Sequence, residues 1–476
     1  PISADKIDLQ GRFVLPGLVD SHIHLSNYAF FLQRVNCETA DIEECLDRVG
    51  SKSALLPAGA WLQGHGWNQN LWTGGFGNAG QLDKQSPRNP VYLTAKSLHA
   101  GWANSQALQL AGVTSETPDP PGGRIVKDEY GQPTGILLES AMRLVEKIIP
   151  PPSPLEYRAA ILSAQTALWK LGLTGVTDFD GIDSFDALQS LDLEDSLRLR
   201  VIKSIPLEYL EQAAALKLHT GFGSPFLKIG PLKLFADGAL GPKTGAMIQP
   251  YENDGENRGM LFLDHEEILE IGRKAAGGGI SLAVHAIGDR ANHEVIRGMA
   301  LLRDYEKQTG ARSPDHRIEH VQIIHPDDFL ALSRYGIVAS MQPIHATSDM
   351  LIADTNLGSR AAGAYAWNTL LKANSSLIFG SDAPVESPNP FLGLHAAVTR
   401  TRTNGSPGPA GWRSEQRISL HVAVKAYTPG RRLSSGQPAD LIVLDEDIFS
   451  MPPSELWRVK PSATMVAGEW VWQRGM

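Results

Sequence analysis

Apolar positions along the chain gather into short, nearly unbroken runs, each ending on a polar residue and each followed by a longer stretch with helical spacing. The runs are "FVLPGLVDSHIHL" (13–25), "LGLTGVTDFD" (171–180), "LRLRVIKSI" (197–205), "LKIGPLKLFADG" (227–238), "ISLAVHAIGD" (280–289), "HRIEHVQ" (316–322), "IVASMQP" (337–343) and "SLIFGSDAPV" (376–385). Strands buried on both faces read this way, because neither face is left to carry polar residues. Between them, "EYRAAILSAQTALWKL" (156–171), "DHEEILEIGRKAAGG" (264–278) and "HPDDFLALSRYG" (325–336) place apolar residues at helical spacing, the second opening on an Asp cap and closing on Gly. Eight strand–helix repeats predict an α/β protein built as a closed (β/α)₈ TIM-like barrel. No Gly-rich phosphate loop follows a strand, which argues against an open dinucleotide- or nucleotide-binding sheet.

Two regions break the rhythm. Residues 61–150 are aromatic and rich in Gly and Pro, and read as an insertion after the first barrel strand. At the other end, "ADLIVLDED" (439–447) and "ATMVAGEWVWQRG" (463–475) alternate as antiparallel strands do, with "KIDLQGRFVLPG" near the start as their partner. The expected domains are therefore 1–15 plus 428–476, a small β-domain formed by both chain ends, and 16–427, the barrel with its insertion.

Composition narrows the function classes. A net charge of −9 argues against a nucleic-acid surface, and no run of eighteen apolar residues predicts a membrane span. No signal-peptide pattern is visible, although the chain begins Pro1-Ile2-Ser3 without Met, which leaves an upstream segment open. Cys37 and Cys45 are too few and too close for a disulfide framework, so two reduced thiols and a cytoplasmic location are expected.

The candidate chemistry sits at strand ends. His22 and His24 are two residues apart, so both imidazoles leave the strand on one face and can reach one point. Alone, His-x-His is a weak metal signal. His285, His320 and Asp382 also stand at or near the carboxyl ends of apolar runs, and in a parallel barrel those ends converge on the face that carries active sites. Lys233, inside the fourth run, must pair with an acid such as Asp237, lose its proton, or react with carbon dioxide to give an anionic carbamate. His65, Trp67 and His99 in the insertion, with Asp289, Arg290 and Gln342 after barrel strands, are candidate substrate contacts. For Trp67 a structural role in an aromatic mini-core comes first, as does helix capping for Asn104.

The order His22-x-His24, Lys233, His285, His320, Asp382 resembles the ligand series of the amidohydrolase superfamily. Finer text resembles its amidohydrolase-3 or YtcJ-like branch, which includes N-substituted formamide deformylases. The residues that carry this are "GHGWN" (64–68), "HAGWANSQAL" (99–108), "DPPGGRI" (119–125), "GQPTGILLE" (131–139), "KLFADGALG" (233–241), "HAIGDRAN" (285–292), "RIEHVQ" (317–322), "MQP" (341–343), "GSDAPV" (380–385) and "PADLIVLD" (438–445). One departure is the short "AYTPGRRLSSGQPADL" (426–441), where family members usually have a longer stretch.

The resemblance implies a barrel with a flanking β-sandwich from both termini. It implies His22, His24, His285, His320 and Asp382 as ligands of one or two divalent ions, most often Zn²⁺, with Lys233 as a carboxylated bridge (N6-carboxylysine) in a binuclear site. A bound ion lowers the pKa of its water toward ~7, and the hydroxide attacks a carbonyl while Asp382 acts as general base and then acid. The expected reaction is hydrolysis of a non-peptide carbon–nitrogen bond in a small-molecule amide, such as an N-acyl or N-formyl amine. The alternatives are a lactone, ester or cyclic-amide hydrolase using the same site, or a non-catalytic metal-containing scaffold. Family analogy alone suggests a homodimer.

Overall fold

The computed structural model describes residues 6–474, so residues 1–5 and 475–476 of the expected terminal domain lie outside the described residues. Each of the eight apolar runs contains one strand of a single parallel sheet. In chain order these are β1 (Leu18–Ile23), β2 (Leu173–Asp178), β3 (Arg200–Pro206), β4 (Leu227–Phe235), β5 (Leu282–Ala286), β6 (Arg317–His320), β7 (Val338–Met341) and β8 (Leu377–Phe379). Sequence neighbours pair throughout, from Leu18 beside Leu173 to Met341 beside Phe379. The last seam is made just beyond β8, where Ile23 bridges Ala383 in parallel and the His22 carbonyl accepts from the Asp382 N–H at 2.7 Å.

That seam requires glycine. A Cβ on Gly380 would lie 2.4 Å from the His22 nitrogen and 2.8 Å from an Asp20 oxygen, so any side chain there would push the two strands apart. Asp20 accepts from the Ser381 N–H at 2.9 Å, from the Ser381 hydroxyl at 2.5 Å and from the His22 N–H at 3.1 Å. Burial pushes its carboxyl up to about 7 in spite of these donors.

The helices follow their sequence signals with one exception. Pro154–Lys170 buries Ala160, Ile161, Ala164 and Leu168, the stripe its spacing promised. His265–Gly278 starts on a full capping box, with Asp264 and Glu267 satisfying each other's end of the first turn, and stops at left-handed Gly279. The helix expected over 325–336 is instead a 3₁₀ turn, Pro326–Asp328, followed by a single short helix, Ala331–Arg334. Leu332 is the only hydrophobic residue it buries and Leu330 is 69% exposed, so the segment lacks the apolar stripe that holds a longer helix down.

The chain ends meet as the alternation predicted. Phe13–Pro16 pairs antiparallel with Leu441–Leu444, which pairs with Ala463–Val466 and through it with Glu469–Gln473. Asp440 ties this sheet to the barrel: it accepts from Arg200 on β3 at 2.6 and 3.0 Å, and from Arg431 at 2.9 Å. Arg431 belongs to the short stretch after the "AYT" helix, so that segment is anchored rather than merely abbreviated.

Residues Phe30–Ser153 form a second compact unit, which begins earlier than the composition shift at 61. It is organised on a six-stranded sheet in the order Val35–Asn36, Leu62–Trp67, Val91–Ala95, Ala100–Ala103, Pro133–Glu139, Gly123–Lys127. This sheet was invisible in the pattern because glycine replaces an apolar residue at inward positions. A Cβ on Gly64 would meet Leu93 Cδ2 at 2.6 Å and the Val35 carbonyl at 2.9 Å. Trp67, Trp72 and Trp102 pack against one another with centroids 6.0–6.3 Å apart, and Cys37 and Cys45 are unbridged thiols in the same core.

Replacing Asp264 by Ala removes two charge-assisted cap bonds from an exposed helix start. It is expected to lower the urea midpoint by the equivalent of about 1 kcal/mol with an unchanged slope.

Candidate metal centre

The barrel seam sets His22 and His24 opposite Asp382. His22 Nε2 lies 3.4 Å and His24 Nε2 3.3 Å from Asp382 Oδ1, while His345 Nε2 lies 3.9 Å from Oδ2. Two triplets have ligand-capable atoms that all lie within 4.8 Å of one another: His22, His24 and Asp382, and His320, His345 and Asp382. Asp382 and His320 both have left-handed backbones, with φ of 62° and 76°. Strain of this kind persists only where the surroundings enforce it, and it collects at functional sites. For His320 it marks the point where the chain departs from strand geometry at the end of β6.

The second nitrogen of three of these rings is fixed from behind. His22 Nδ1 lies 2.6 Å from Glu319 Oε2, His24 Nδ1 3.2 Å from Asp180 Oδ1, and His320 Nδ1 2.9 Å from Gln342 Oε1. An acceptor at Nδ1 keeps the proton there and leaves the Nε2 lone pair free, the tautomer a metal ligand needs. Burial opposes charge on the Glu319 carboxyl, but the Arg317 guanidinium and His22 hold it well below the usual carboxylate range. Arg317 also donates to the Ser21 carbonyl, so this pair spans β6 and β1. Burial likewise opposes charge on His24, yet Asp180 and Asp382 on its two sides raise it to about 9.

Asp180 is itself highly constrained. It accepts from the Ser26 N–H and hydroxyl at 2.6 Å each, and from the Asn27 N–H and side-chain amide at 3.1 and 2.8 Å. Beneath it, fully buried Lys203 on β3 donates to the Asp180 carbonyl and pairs with Asp178 Oδ2 at 3.1 Å.

Lys233 lies inside the barrel with its Nζ 4.5 Å from the Phe179 ring centroid and 4.9 Å from that of Phe235. Among the described residues no carboxylate comes within salt-bridge reach of it. Asp237, the acid expected to pair with it, instead accepts from the Ala246, Ile287 and Gly288 N–H groups. Burial brings the Lys233 amine down to about 8. His285 packs edge-on against His320, with centroids 4.6 Å apart, and its Nε2 lies 2.9 Å from the Gly238 carbonyl. His285 and Lys233 thus border the cluster without belonging to either triplet.

The candidate substrate contacts separate. Gln342 is at the site, where it orients His320. Asp289 accepts from the Ile248 N–H and braces a loop, and Arg290 is exposed at the start of the helix after β5. The other three belong to the second unit. Trp67 is fully buried there with its indole N–H donating to the Leu93 carbonyl, His65 stacks on Phe31 at 4.0 Å, and the His99 side chain is 70% exposed beside Glu139. Asn104 caps its helix as expected, accepting from the Ala107 N–H.

Sequence reading passes over Glu319, Asp180, Arg317 and Lys203, and places His345 among the structural or surface histidines by default, as the first exception to consider. "DFD" at the end of β2 and "RIE" along β6 carried the signal: charged residues inside otherwise apolar runs must find partners. His345 had none, because it lies on the short helix Pro343–Ser348 that follows β7 rather than on a strand.

The donor set fits a divalent cation. It gathers imidazole Nε2 atoms around one carboxylate, and His345 Nε2 is buried without a hydrogen-bond partner among the described residues. Asp180→Asn keeps the volume but removes the charge behind His24. Divalent-metal affinity is expected to fall about 10- to 100-fold, measured by competition with a chromophoric chelator.

Comparison with known proteins gives a consistent result. The profile of the Amidohydrolase family matches residues 5–472. YtcJ of Bacillus subtilis, which carries an amidohydrolase name, is 31% identical over 503 residues, covering 99% of this chain and 91% of its own. N-substituted formamide deformylase of Arthrobacter pascens is 26% identical over 509 residues, covering 98% and 89%. The crystal structure of a metal-dependent hydrolase from Pyrococcus furiosus superposes with a TM-score of 0.74 at 29% identity, covering 93% of this chain and 89% of that one.

Proposed function

The chain belongs to the Amidohydrolase family, and from that premise we propose that it is a metal-dependent hydrolase of a non-peptide carbon–nitrogen bond, such as that of an N-acyl or N-formyl amine. The observation that carries this reading is the convergence of His22, His24 and His345 Nε2 on the two oxygens of Asp382. His22, His24, His320, His345 and Asp382 are the core ligands proposed, with His285 and Lys233 at the border of the same cluster. The deformylase among the relatives supports the choice of bond.

A divalent ion held by these residues, Zn²⁺ in this proposal, would acidify a water and polarise the substrate carbonyl. The protein's own part is proton handling and orientation. Asp382 takes a proton from the attacking water and returns it to the leaving nitrogen, which must be protonated before the amine can depart. Glu319, Asp180 and Gln342 hold three imidazoles in one tautomer through that exchange. Lys233, an amine with two aromatic neighbours and no acid partner, is suited to add carbon dioxide with loss of a proton, giving a carbamate anion that offsets cationic charge.

The test is a screen of N-formyl and N-acetyl amines, with matched oxygen esters, against protein loaded with zinc, manganese or nickel. Chelation should abolish turnover and metal should restore it. Asp382→Asn should lower kcat by about 10²-fold or more while substrate still binds. Faster cleavage of the esters than of the matched amides would move the activity to a different bond, and no turnover of either would remove the hydrolase reading.

A further inference from the structure

Beside Lys233 the barrel opens into a cavity of about 400 Å³, within the range of small-molecule sites. Its apolar wall is made by Phe179, Pro206, Leu207, Phe235, Phe262 and Leu263, from the loops and strand ends of β2, β3 and β4. Phe235, Phe262 and Leu207 are 51%, 48% and 41% exposed, a group of large apolar side chains left open along one concave surface. The wall is continuous with the histidine cluster. Phe179 packs on His22 at 4.3 Å and Phe235 on His285 at 5.4 Å, so a group seated between these rings touches the residues that border the reacting centre.

The charges of the cavity are as informative as its apolar surface. Asp180 is part of the lining, but its oxygens are taken up by His24, Ser26 and Asn27. Glu208 is exposed at the cavity and makes no hydrogen bond or ion pair among the described residues. Lys233 is the only cation of the lining, and it is held between two aromatic rings. An anionic group entering here would meet the unpaired Glu208 carboxylate and no exposed cation, since Lys233 is buried between its two rings.

We propose that this cavity is the specificity pocket of the enzyme, and that it takes an uncharged, apolar substituent of the substrate, of arylalkyl or branched-alkyl size, and rejects a carboxylate. Substrates are then amides of apolar amines or apolar acids, and N-acyl amino acids are excluded. This inference rests on the hydrolase reading above.

The experiment measures kcat/KM on metal-loaded full chain with two series. One holds the acyl group as formyl and varies the amine through methylamine, isobutylamine, 2-phenylethylamine and phenylalanine, the last adding only a carboxylate. The other holds methylamine and varies the acyl group from acetyl to phenylacetyl. A rise of about tenfold or more from the smallest to the arylalkyl member in either series supports the pocket, since each methylene in a hydrophobic site is worth about 10-fold or more. The phenylalanine derivative should fall at least about tenfold below its uncharged match, and Glu208→Gln should narrow that gap. Phe262→Ala should compress the arylalkyl-to-methyl ratio. Turnover with a flat profile in both series overturns the pocket and leaves the hydrolase intact. If no member turns over, the hydrolase reading fails first. Calorimetry of N-formyl-2-phenylethylamine against N-methylformamide, with Phe262→Ala as control, then decides the pocket alone: equal binding of the two sinks it.

Discussion

Asp20 holds Ser381 by its N–H and its hydroxyl and reaches the His22 N–H with the same carboxylate, fastening the eighth strand of the barrel to the first. This fastening brings the two sides of the barrel mouth together. The His-x-His pair leaves β1 immediately above it, and Asp382 leaves the far side of the seam one residue after Ser381. The two halves of the candidate centre come from opposite ends of the barrel sequence, 358 positions apart between His24 and Asp382. Closing the sheet and assembling the site are the same event, and the bare α-carbon of Gly380 permits both.

From that seam outward the site is organised by asymmetry within each imidazole. In His22, His24 and His320, Nδ1 is committed to a buried acceptor and Nε2 is turned toward Asp382 or its neighbours. The acceptors are in turn held by groups set behind them, Arg317 behind Glu319, and helix-start donors with Lys203 behind Asp180. Each arrangement costs desolvation and recovers it through several hydrogen bonds, so the cluster is preorganised instead of being gathered by a ligand when it arrives.

Much of this was legible in the chain. Continuous apolar runs gave all eight barrel strands, because strands buried on both faces have no polar face to obscure them. His22, His24 and Asp382 were readable because two-residue spacing and strand ends have fixed geometric meaning. The sheet of the second unit was not, since Gly64 occupies a position where pattern reading looks for an apolar residue. The supporting shell was hidden for a different reason. Glu319 precedes His320 directly, so simple alternation would send them to opposite faces, and only the left-handed backbone at His320 brings both to one centre. The order of residues carries no sign of such a turn. His345 escaped because a helix, not a strand, delivers it.

The pairing of Lys203 with Asp178, both fully enclosed between β2 and β3, reaches beyond the present molecule. Losing either partner strands the other charge in the interior, at about 3–5 kcal/mol, and losing both also orphans the Leu25 and Asp180 N–H groups, the Ser184 hydroxyl and the Asp180 carbonyl that the two side chains satisfy. Random change at these positions must therefore cross a deep valley one step at a time. The couple is locked in twice, by the cost of stranding a charge inside the barrel and by the bond through which Lys203 holds the backbone of Asp180.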